Sequence, residues 1–143
     1  AWLAARYDEI DLAGFSLEPS IPEAPAFCMV DELQLRRALD NLLSNALRHN
    51  RLGTMLFVEV EPGPQKVTVR IADNGAGIPP ERRKTIFEPF VTGSDDRTGA
   101  GSGLGLAITR RILEKHGGSI RLNEKPAPGR ATEFLLTLPR AEE

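Results

Sequence analysis

The sequence has few of the features that would indicate a disulfide-rich, membrane-spanning or nucleic-acid-binding protein. Its 143 residues include one cysteine, Cys28, so no internal disulfide can form, which fits a reducing compartment. No apolar stretch approaches the roughly 18 residues of a membrane span, and no signal peptide is visible. The formal charge is -2 at pH 7 and the basic residues form no run, so nothing predicts attraction to nucleic acid or anionic membranes.

Length and composition predict one ordinary domain spanning residues 1–143. The chain is 41% hydrophobic and 27% charged, and a compact domain of this length buries roughly 68–70% of its unfolded surface. No internal repeat or low-complexity tract is present. The chain starts at Ala1 rather than Met, which indicates a fragment of a longer protein.

Periodicity predicts an α/β (α+β) two-layer sandwich. Apolar residues recur at helical spacing from Leu35 to Ala46, which predicts a helix over 32–49 with Asp31 as its N-cap. The element order predicts a mixed, mostly antiparallel sheet with helices on one face. Further predictions are strands over 15–18, 26–30, 55–61, 66–73, 119–123 and 132–138, a turn over 19–25, an irregular region over 74–101, a helix over 103–116 ended by Gly117-Gly118, and a helix or strand over 2–10.

A polar stripe follows the first long helix. Asn41, Asn45 and Arg48 are spaced i, i+4 and i+7, so at roughly 100° per residue they share one side beside the leucine face. A carboxamide oxygen suits Mg²⁺ and a guanidinium suits phosphate oxygens. A solvated helix edge is an equally weighted alternative.

A carboxylate ends the apolar stripe of the strand over 66–73. Asp73 projects to the same face as Val69 and Ile71, and a buried carboxylate needs a hydrogen-bond donor. An adenine amino group would be one such donor, and Gly75 and Gly77 would let backbone approach a flat ring. An ordinary Asx-type turn is the alternative, because Asp-Asn-Gly is common turn chemistry.

Alternating glycines lead into the second predicted helix. Gly101, Gly103 and Gly105 would leave free amides at a helix N-terminus open to phosphate. A flexible linker is the alternative, but glycines in a helix interior cost roughly 1 kcal/mol each, which a bound polyphosphate would offset. The segment is neither a P-loop nor a dinucleotide fingerprint, because both motifs are incomplete here.

Together these motifs resemble the histidine-kinase branch of the GHKL ATPase superfamily. The likeness spans residues 26–138, and its four boxes occur in the family's order. Residues 40–49 (DNLLSNALRH) resemble the N box, 73–78 (DNGAGI) the G1 box, 86–90 (IFEPF) the F box and 101–108 (GSGLGLAI) the G2 box.

The resemblance implies a Bergerat-type fold that binds ATP between the long helix and a lid over 91–100. It implies Asn45 as the Mg²⁺ ligand and Asn41 and Arg48 as support for the phosphates, these three forming the catalytic set. Asp73 would accept from the adenine amine. The remaining residues implied to contact ATP are His49, Gly75, Gly77, Ile78, Phe87, Phe90, Gly101, Ser102, Gly103, Leu104, Gly105 and Leu106.

Two departures from the superfamily's patterns bear on this interpretation. Many resembling kinases have Tyr and then Ser or Thr where this chain has His49 and Asn50, so His49 is equally well a polar helix-end residue. Related topoisomerases, chaperones and serine kinases typically have a general-base Glu where this chain has Asn41, and an amide cannot accept that proton. A nucleotide-gated switch, a serine kinase and a nucleotide-binding relic remain alternatives.

The expected function is transfer of the ATP γ-phosphoryl group to a histidine in a separate dimerisation domain, for two-component signalling. Neither His49 nor His116 has the acidic neighbour of the family's acceptor box, so the acceptor is expected upstream of Ala1. The isolated chain should bind Mg-ATP as a monomer without phosphorylating itself. The resemblance further implies a homodimeric parent, a response-regulator partner, and a cytoplasmic domain of an inner-membrane sensor.

Overall fold

The computed structural model describes residues 2–89 and 105–141. Along these residues, helices and strands occur in the order α-β-α-β-β-α-α-β-β. The helices are α1 (Trp2–Leu12), α2 (Glu32–His49), α3 (Pro80–Arg83) and α4 (Gly105–Lys115), and the strands are β1 (Ser16–Ser20), β2 (Met55–Pro62), β3 (Lys66–Asp73), β4 (Ser119–Leu122) and β5 (Thr132–Pro139).

The strands form one five-stranded sheet in the order β1-β2-β3-β5-β4. The edge strand β1 runs parallel to β2, whereas the other pairs, β2 with β3, β3 with β5 and β4 with β5, are antiparallel. The predicted mixed, mostly antiparallel sheet and its two-layer architecture are therefore confirmed.

One face of the sheet packs against the helices, and register explains which residues form it. Val58, Ile71, Phe134 and Leu122 lie opposite one another across four strands, in one row of this inner face. Side chains alternate along a strand, so every second residue of each strand joins the same face. The main core joins this face to α2 and α4, through residues that include Ala38, Leu42, Ile112 and Leu113.

The helix α2 begins and ends where the sequence predicts. Asp31 is extended (φ -69°, ψ 116°), and its side chain accepts hydrogen bonds from the amides of Leu33 and Gln34 at 2.9 and 3.2 Å. These bonds satisfy amides that have no partner within the helix. The apolar side of α2 can therefore face the sheet from its first turn onward.

The first helix, α1, docks on α2 through one carboxylate. Asp40 accepts from the indole nitrogen of Trp2 at 2.7 Å and from two nitrogens of Arg6 at 2.9 and 3.1 Å. Ile10 and Phe15 extend this contact into a second apolar cluster with α2 and β2. The ambiguous segment over 2–10 is thus helical, and Asp40 points to α1.

The opposite, outer face of the sheet carries a buried ionic network. Glu133 is only 2% exposed, and its carboxylate lies 3.5 Å from Arg130 and 3.6 Å from Arg70. Arg130 also pairs with Glu59 and lies 4.6 Å above the ring of Phe57. This network holds the loop before β5 against the sheet.

Two predicted segments are wrong. The strand predicted over 26–30 is reduced to one bridge between Cys28 and Arg140, because the strand beside it ends at Pro139, which has no backbone donor. The turn predicted over 19–25 starts too early, since β1 continues through Ser20. A proline is tolerated there because β1 is an edge strand.

The C-terminal end of α4 agrees with its prediction. The helix ends at Lys115, and Gly117 has a left-handed φ of +78° just beyond it. Gly118 donates back to Leu113 at 2.8 Å, which satisfies a carbonyl of the last turn. None of the helices within 2–89 and 105–141 is long and apolar enough to cross a membrane.

Candidate nucleotide-binding site

The last residue of β3 is a buried carboxylate on the helix-facing side of the sheet. Asp73 is 6% exposed and follows Ile71 on the inner face. Burial raises the pKa of Asp73, while hydrogen bonds from the Gly75 amide and the Asn50 side chain act in the lowering direction. A carboxylate has about four acceptor positions, so Asp73 retains capacity for another donor.

Two backbone amides donate to side chains in the turn after Asp73. The Gly75 amide donates to Asp73 Oδ1 at 2.9 Å, and the Met55 amide donates to Asn74 Oδ1 at 2.8 Å. Gly77 adopts a left-handed φ of +79°, which disfavours any residue with a side chain. The Asx-type turn is therefore present. It fixes the Asp73 carboxylate in place, so it is compatible with a binding site at that carboxylate.

The loop before β5 closes the other side of this turn. The Ala131 amide donates to the Asp73 carbonyl at 2.8 Å, and a side chain at Gly77 would point at the Ala131 carbonyl, 3.5 Å away. Thr132 lies directly opposite Asp73 in the β3–β5 register and is also buried. The carboxylate and this hydroxyl residue therefore share one end of the inner face.

The polar stripe of α2 faces the beginning of α4. Asn41 Nδ2 donates to the Gly105 carbonyl at 3.4 Å. Nearby, the fully buried Thr109 hydroxyl lies 2.9 Å from the same carbonyl and 3.4 Å from that of Ala38. Asn45 is half-buried on the same stripe. Two of the three sequence constellations thus meet where α4 begins.

The two residues that end α2 lie at the surface. Arg48 and His49 are both exposed in the last turn of the helix. Basic residues there also complement the negative end of the helix dipole. Their predicted contacts with ATP stay predictions.

The F-box segment belongs to the core. Phe87 contacts Phe134 edge-on, with ring centroids 6.1 Å apart and an interplanar angle of 81°. Ile78 packs against the same core, and its carbonyl accepts from Arg83 Nε at 2.9 Å. Phe87 therefore packs against the core, and its predicted contact with ATP stays a prediction.

Part of the predicted site lies outside the described residues. This applies to the lid over 91–100 and to Phe90, Gly101, Ser102, Gly103 and Leu104. Of the ATP contacts predicted in the G2 box, the structure describes Gly105 and Leu106, at the start of α4. Leu106 is partly buried against the core.

Sequence reasoning missed two residues beside Asp73. Thr132 would have been found only from the β3–β5 register, which the pattern of a single strand does not fix. Asn50 was noted as a departure from related kinases, but its contact with Asp73 depends on how α2 ends against the β3 turn. Both are tertiary relationships between distant segments.

No three of the His, Cys, Asp and Glu side chains in the part of the chain that the structure describes are grouped so as to hold a metal ion. The ligand predicted for Mg²⁺ is the carboxamide oxygen of Asn45, which is compatible with an ion that keeps several waters and needs few protein ligands; this role stays a prediction.

Comparison with known proteins agrees with this geometry. Residues 30–142 match the family described as "Histidine kinase-, DNA gyrase B-, and HSP90-like ATPase". The sensor histidine kinase YcbM of Bacillus subtilis (strain 168) is 35% identical over 136 residues, covering 94% of this chain and 43% of the relative. The chain therefore belongs to this family of ATP-binding domains.

Solved structures narrow the assignment within the family. The mycobacterial sensor histidine kinase MprB has a TM-score of 0.81 at 30% identity, covering 99% of this chain and 93% of that one. Full-length ShkA in complex with AMPPNP has a TM-score of 0.80 at 25% identity, covering 99% of this chain and 29% of ShkA. The chain is the catalytic ATP-binding domain of a sensor histidine kinase, and it spans less than half the length of the curated relative YcbM.

Proposed function

We propose that this domain binds Mg-ATP and transfers its γ-phosphoryl group to a histidine in a separate dimerisation domain of the same parent protein. The observation that carries the proposal is Asp73, a buried carboxylate with acceptor capacity beside the end of α2. Asn41, which contacts the beginning of α4, lies eight residues before His49, the last residue of α2, or roughly 12 Å along the helix axis. That spacing suits a nucleoside triphosphate with its base at Asp73 and its phosphates near Asn41.

In this proposal the adenine N6 amine donates to Asp73. Gly75 and Gly77 shape the pocket for the base. The half-buried Asn45 carboxamide would hold Mg²⁺, which neutralises phosphate charge when bound. Asn41 and Arg48 orient the phosphates, and the glycine-rich segment before α4 supplies amides. The complex of ShkA with AMPPNP supports an ATP-shaped site in a domain of this fold.

The reaction requires little acid–base help from this chain. A neutral imidazole nitrogen attacks the γ-phosphorus, the bond to the β–γ bridging oxygen breaks, and ADP leaves with that electron pair. The acceptor histidine loses one proton to solvent. Asn41 cannot act as a base, and Asp40 is held by Arg6 and Trp2 on the side of α1. Positioning and charge neutralisation therefore carry the catalysis.

Neither histidine of the chain is suited to be the acceptor. His116 has both ring nitrogens in hydrogen-bonding contact, with Nε2 accepting from the Asp31 amide at 3.2 Å and Nδ1 lying 2.8 Å from the Ile112 carbonyl. Phosphorylation of His116 at Nε2 would remove the hydrogen bond from the Asp31 amide, which links the beginning of α2 to the end of α4. His49 lies within α2. We therefore propose an acceptor on another domain, a homodimeric parent at the inner membrane with this domain in the cytoplasm, and a response regulator as the next acceptor.

The test is phosphorylation in trans. The isolated chain is incubated with γ-labelled ATP and Mg²⁺, alone and together with the dimerisation domain of the parent. We expect acid-labile phosphohistidine on the added domain and none on the isolated chain, with Asp73→Asn inactive and Ser44→Ala, an exposed neighbour on α2, unaffected. Stable phosphohistidine on the isolated chain would contradict the proposal. Acid-stable phosphoserine would point to a serine kinase, and nucleotide-dependent dimerisation of the chain to a switch.

A further inference from the structure

Asn50 lies where α2 ends, and its side chain reaches the turn after Asp73. Its Nδ2 donates to the Ala46 carbonyl at 2.9 Å. A Cβ built on Gly75 would fall 1.8 Å from Asn50 Oδ1 and 2.7 Å from its Cγ. The Asn50 carboxamide therefore occupies the space that the missing side chain of Gly75 leaves open.

The carboxamide of Asn50 and the carboxylate of Asp73 are neighbours. The same point above Gly75 lies 3.0 Å from Asp73 Oδ1, so the carboxamide lies beside the carboxylate, and its interaction with Asp73 opposes the effect of burial on the pKa of that carboxylate. The Gly75 amide also donates to Asp73 Oδ1 at 2.9 Å, so groups from two different segments contact one carboxylate. These contacts fix the orientation of the carboxylate and offset part of the effect of burial, which raises its pKa.

The residue type matters for this double contact. An asparagine side chain has two N–H groups, so Asn50 can donate to Ala46 at the end of α2 and also to Asp73. A serine or threonine hydroxyl, the residue type of resembling kinases at this position, has one hydrogen and a shorter reach. The asparagine thus couples the end of α2 to the carboxylate.

We propose that Asn50 is a positioning residue that gives the site its selectivity for a 6-amino purine. It holds the Asp73 carboxylate in the orientation that accepts from the exocyclic amine. The inference rests on the proposed function, in which Asp73 recognises that amine. Asn50 itself is bonded to protein on both sides, so its effect passes through Asp73.

The test compares two nucleotides that differ only at the 6-position. Binding of ATP and of purine riboside triphosphate, which has hydrogen in place of the amine, is measured by calorimetry. In the native chain we expect ATP to bind more tightly. In Asn50→Leu, which keeps the volume and removes both donors, we expect ATP affinity to fall about tenfold while affinity for the analogue is unchanged. Asn50→Ser, which keeps one donor, should lie between the two.

The matched control is Asn74→Leu, in the same turn, because Asn74 bonds the Met55 amide rather than the carboxylate. It should alter both affinities by the same factor. An equal loss of both affinities in Asn50→Leu would overturn the inference and leave Asn50 a structural cap. If that variant does not fold, Asn50→Ser is judged by the same quantity, the affinity for ATP divided by the affinity for the analogue. If Asp73→Asn leaves this ratio as it is in the native chain, the proposed function fails instead.

Discussion

Replacing Gly75 by alanine tests the packing beneath the proposed site. The new Cβ would overlap Asn50 Oδ1, at 1.8 Å. Real Cβ atoms do not approach an oxygen so closely, and the Asn50 carboxamide is the mobile partner. The carboxamide has to rotate away, and it then loses its hydrogen bond to the Ala46 carbonyl and its interaction with Asp73.

The cost follows from those two contacts. A neutral hydrogen bond contributes about 1 kcal/mol and an interaction with a charged group about 1.5 kcal/mol, so Gly75→Ala should lower the free energy of unfolding by about 2.5 kcal/mol. For a domain of this size each kcal/mol shifts Tm by about 3–4 °C. We therefore expect Tm to fall by about 8–10 °C.

The assay is a double-mutant cycle in urea. Asn50→Ala vacates the contested space, so Gly75→Ala in that background should change stability by less than about 1 kcal/mol. Gly105→Ala is the control, because its Cβ would meet Asn41 at an ordinary 3.9 Å and alanine favours a helix. If Gly75→Ala costs the same with and without Asn50, the proposed overlap is not the cause.

Three further predictions follow from the same structure. Asp73→Asn should abolish ATP binding yet stabilise the nucleotide-free chain at neutral pH: the pKa of Asp73 is raised, so its ionised form costs stability as pH rises through that value. Urea unfolding at pH 3.5, below the ordinary aspartate pKa, and at pH 7.5 checks this, and a pH-independent difference would refute it. Arg130→Met should lower the free energy of unfolding by about 3 kcal/mol, because it leaves the buried Glu133 carboxylate poorly compensated; an unchanged urea midpoint would contradict this. Asp40→Ala should shift the emission of Trp2, the only tryptophan, to longer wavelength as α1 loosens, without affecting ATP affinity; a parallel loss of affinity would give Asp40 a role in the site.

Sequence patterns predicted the elements that local chemistry determines. The helix α2 is specified by its apolar period and by Asp31, whose capping bonds involve residues two and three positions away. The hairpin of β2 and β3 is specified by alternation on both sides of a proline-glycine turn. These signals are complete within one segment, so a single sequence suffices to read them.

Elements that depend on residues distant in sequence were harder to predict from the sequence. The apolar stretch over 26–30 is short, and Phe27 and Met29 remain exposed at 51% and 82%; its pairing is limited to the bridge at Cys28 and a hydrogen bond from the Ala141 amide to the Phe27 carbonyl. The helix α1 owes its docking to Asp40, more than 30 positions away. In the site, Asp73 was recognisable from its strand, whereas Asn50 and Thr132 required the tertiary register. The roles in ATP binding remain proposals.

The most direct test of the account is an ATP titration of the chain by calorimetry, with and without Mg²⁺, alongside Asp73→Asn and Asn45→Ala. We expect one ATP per chain, no binding to Asp73→Asn, and loss of the Mg²⁺ dependence in Asn45→Ala, with Ser44→Ala behaving as the native chain. If the native chain binds no nucleotide with or without Mg²⁺, or if Asp73→Asn binds ATP as tightly as the native chain, the central claim is wrong.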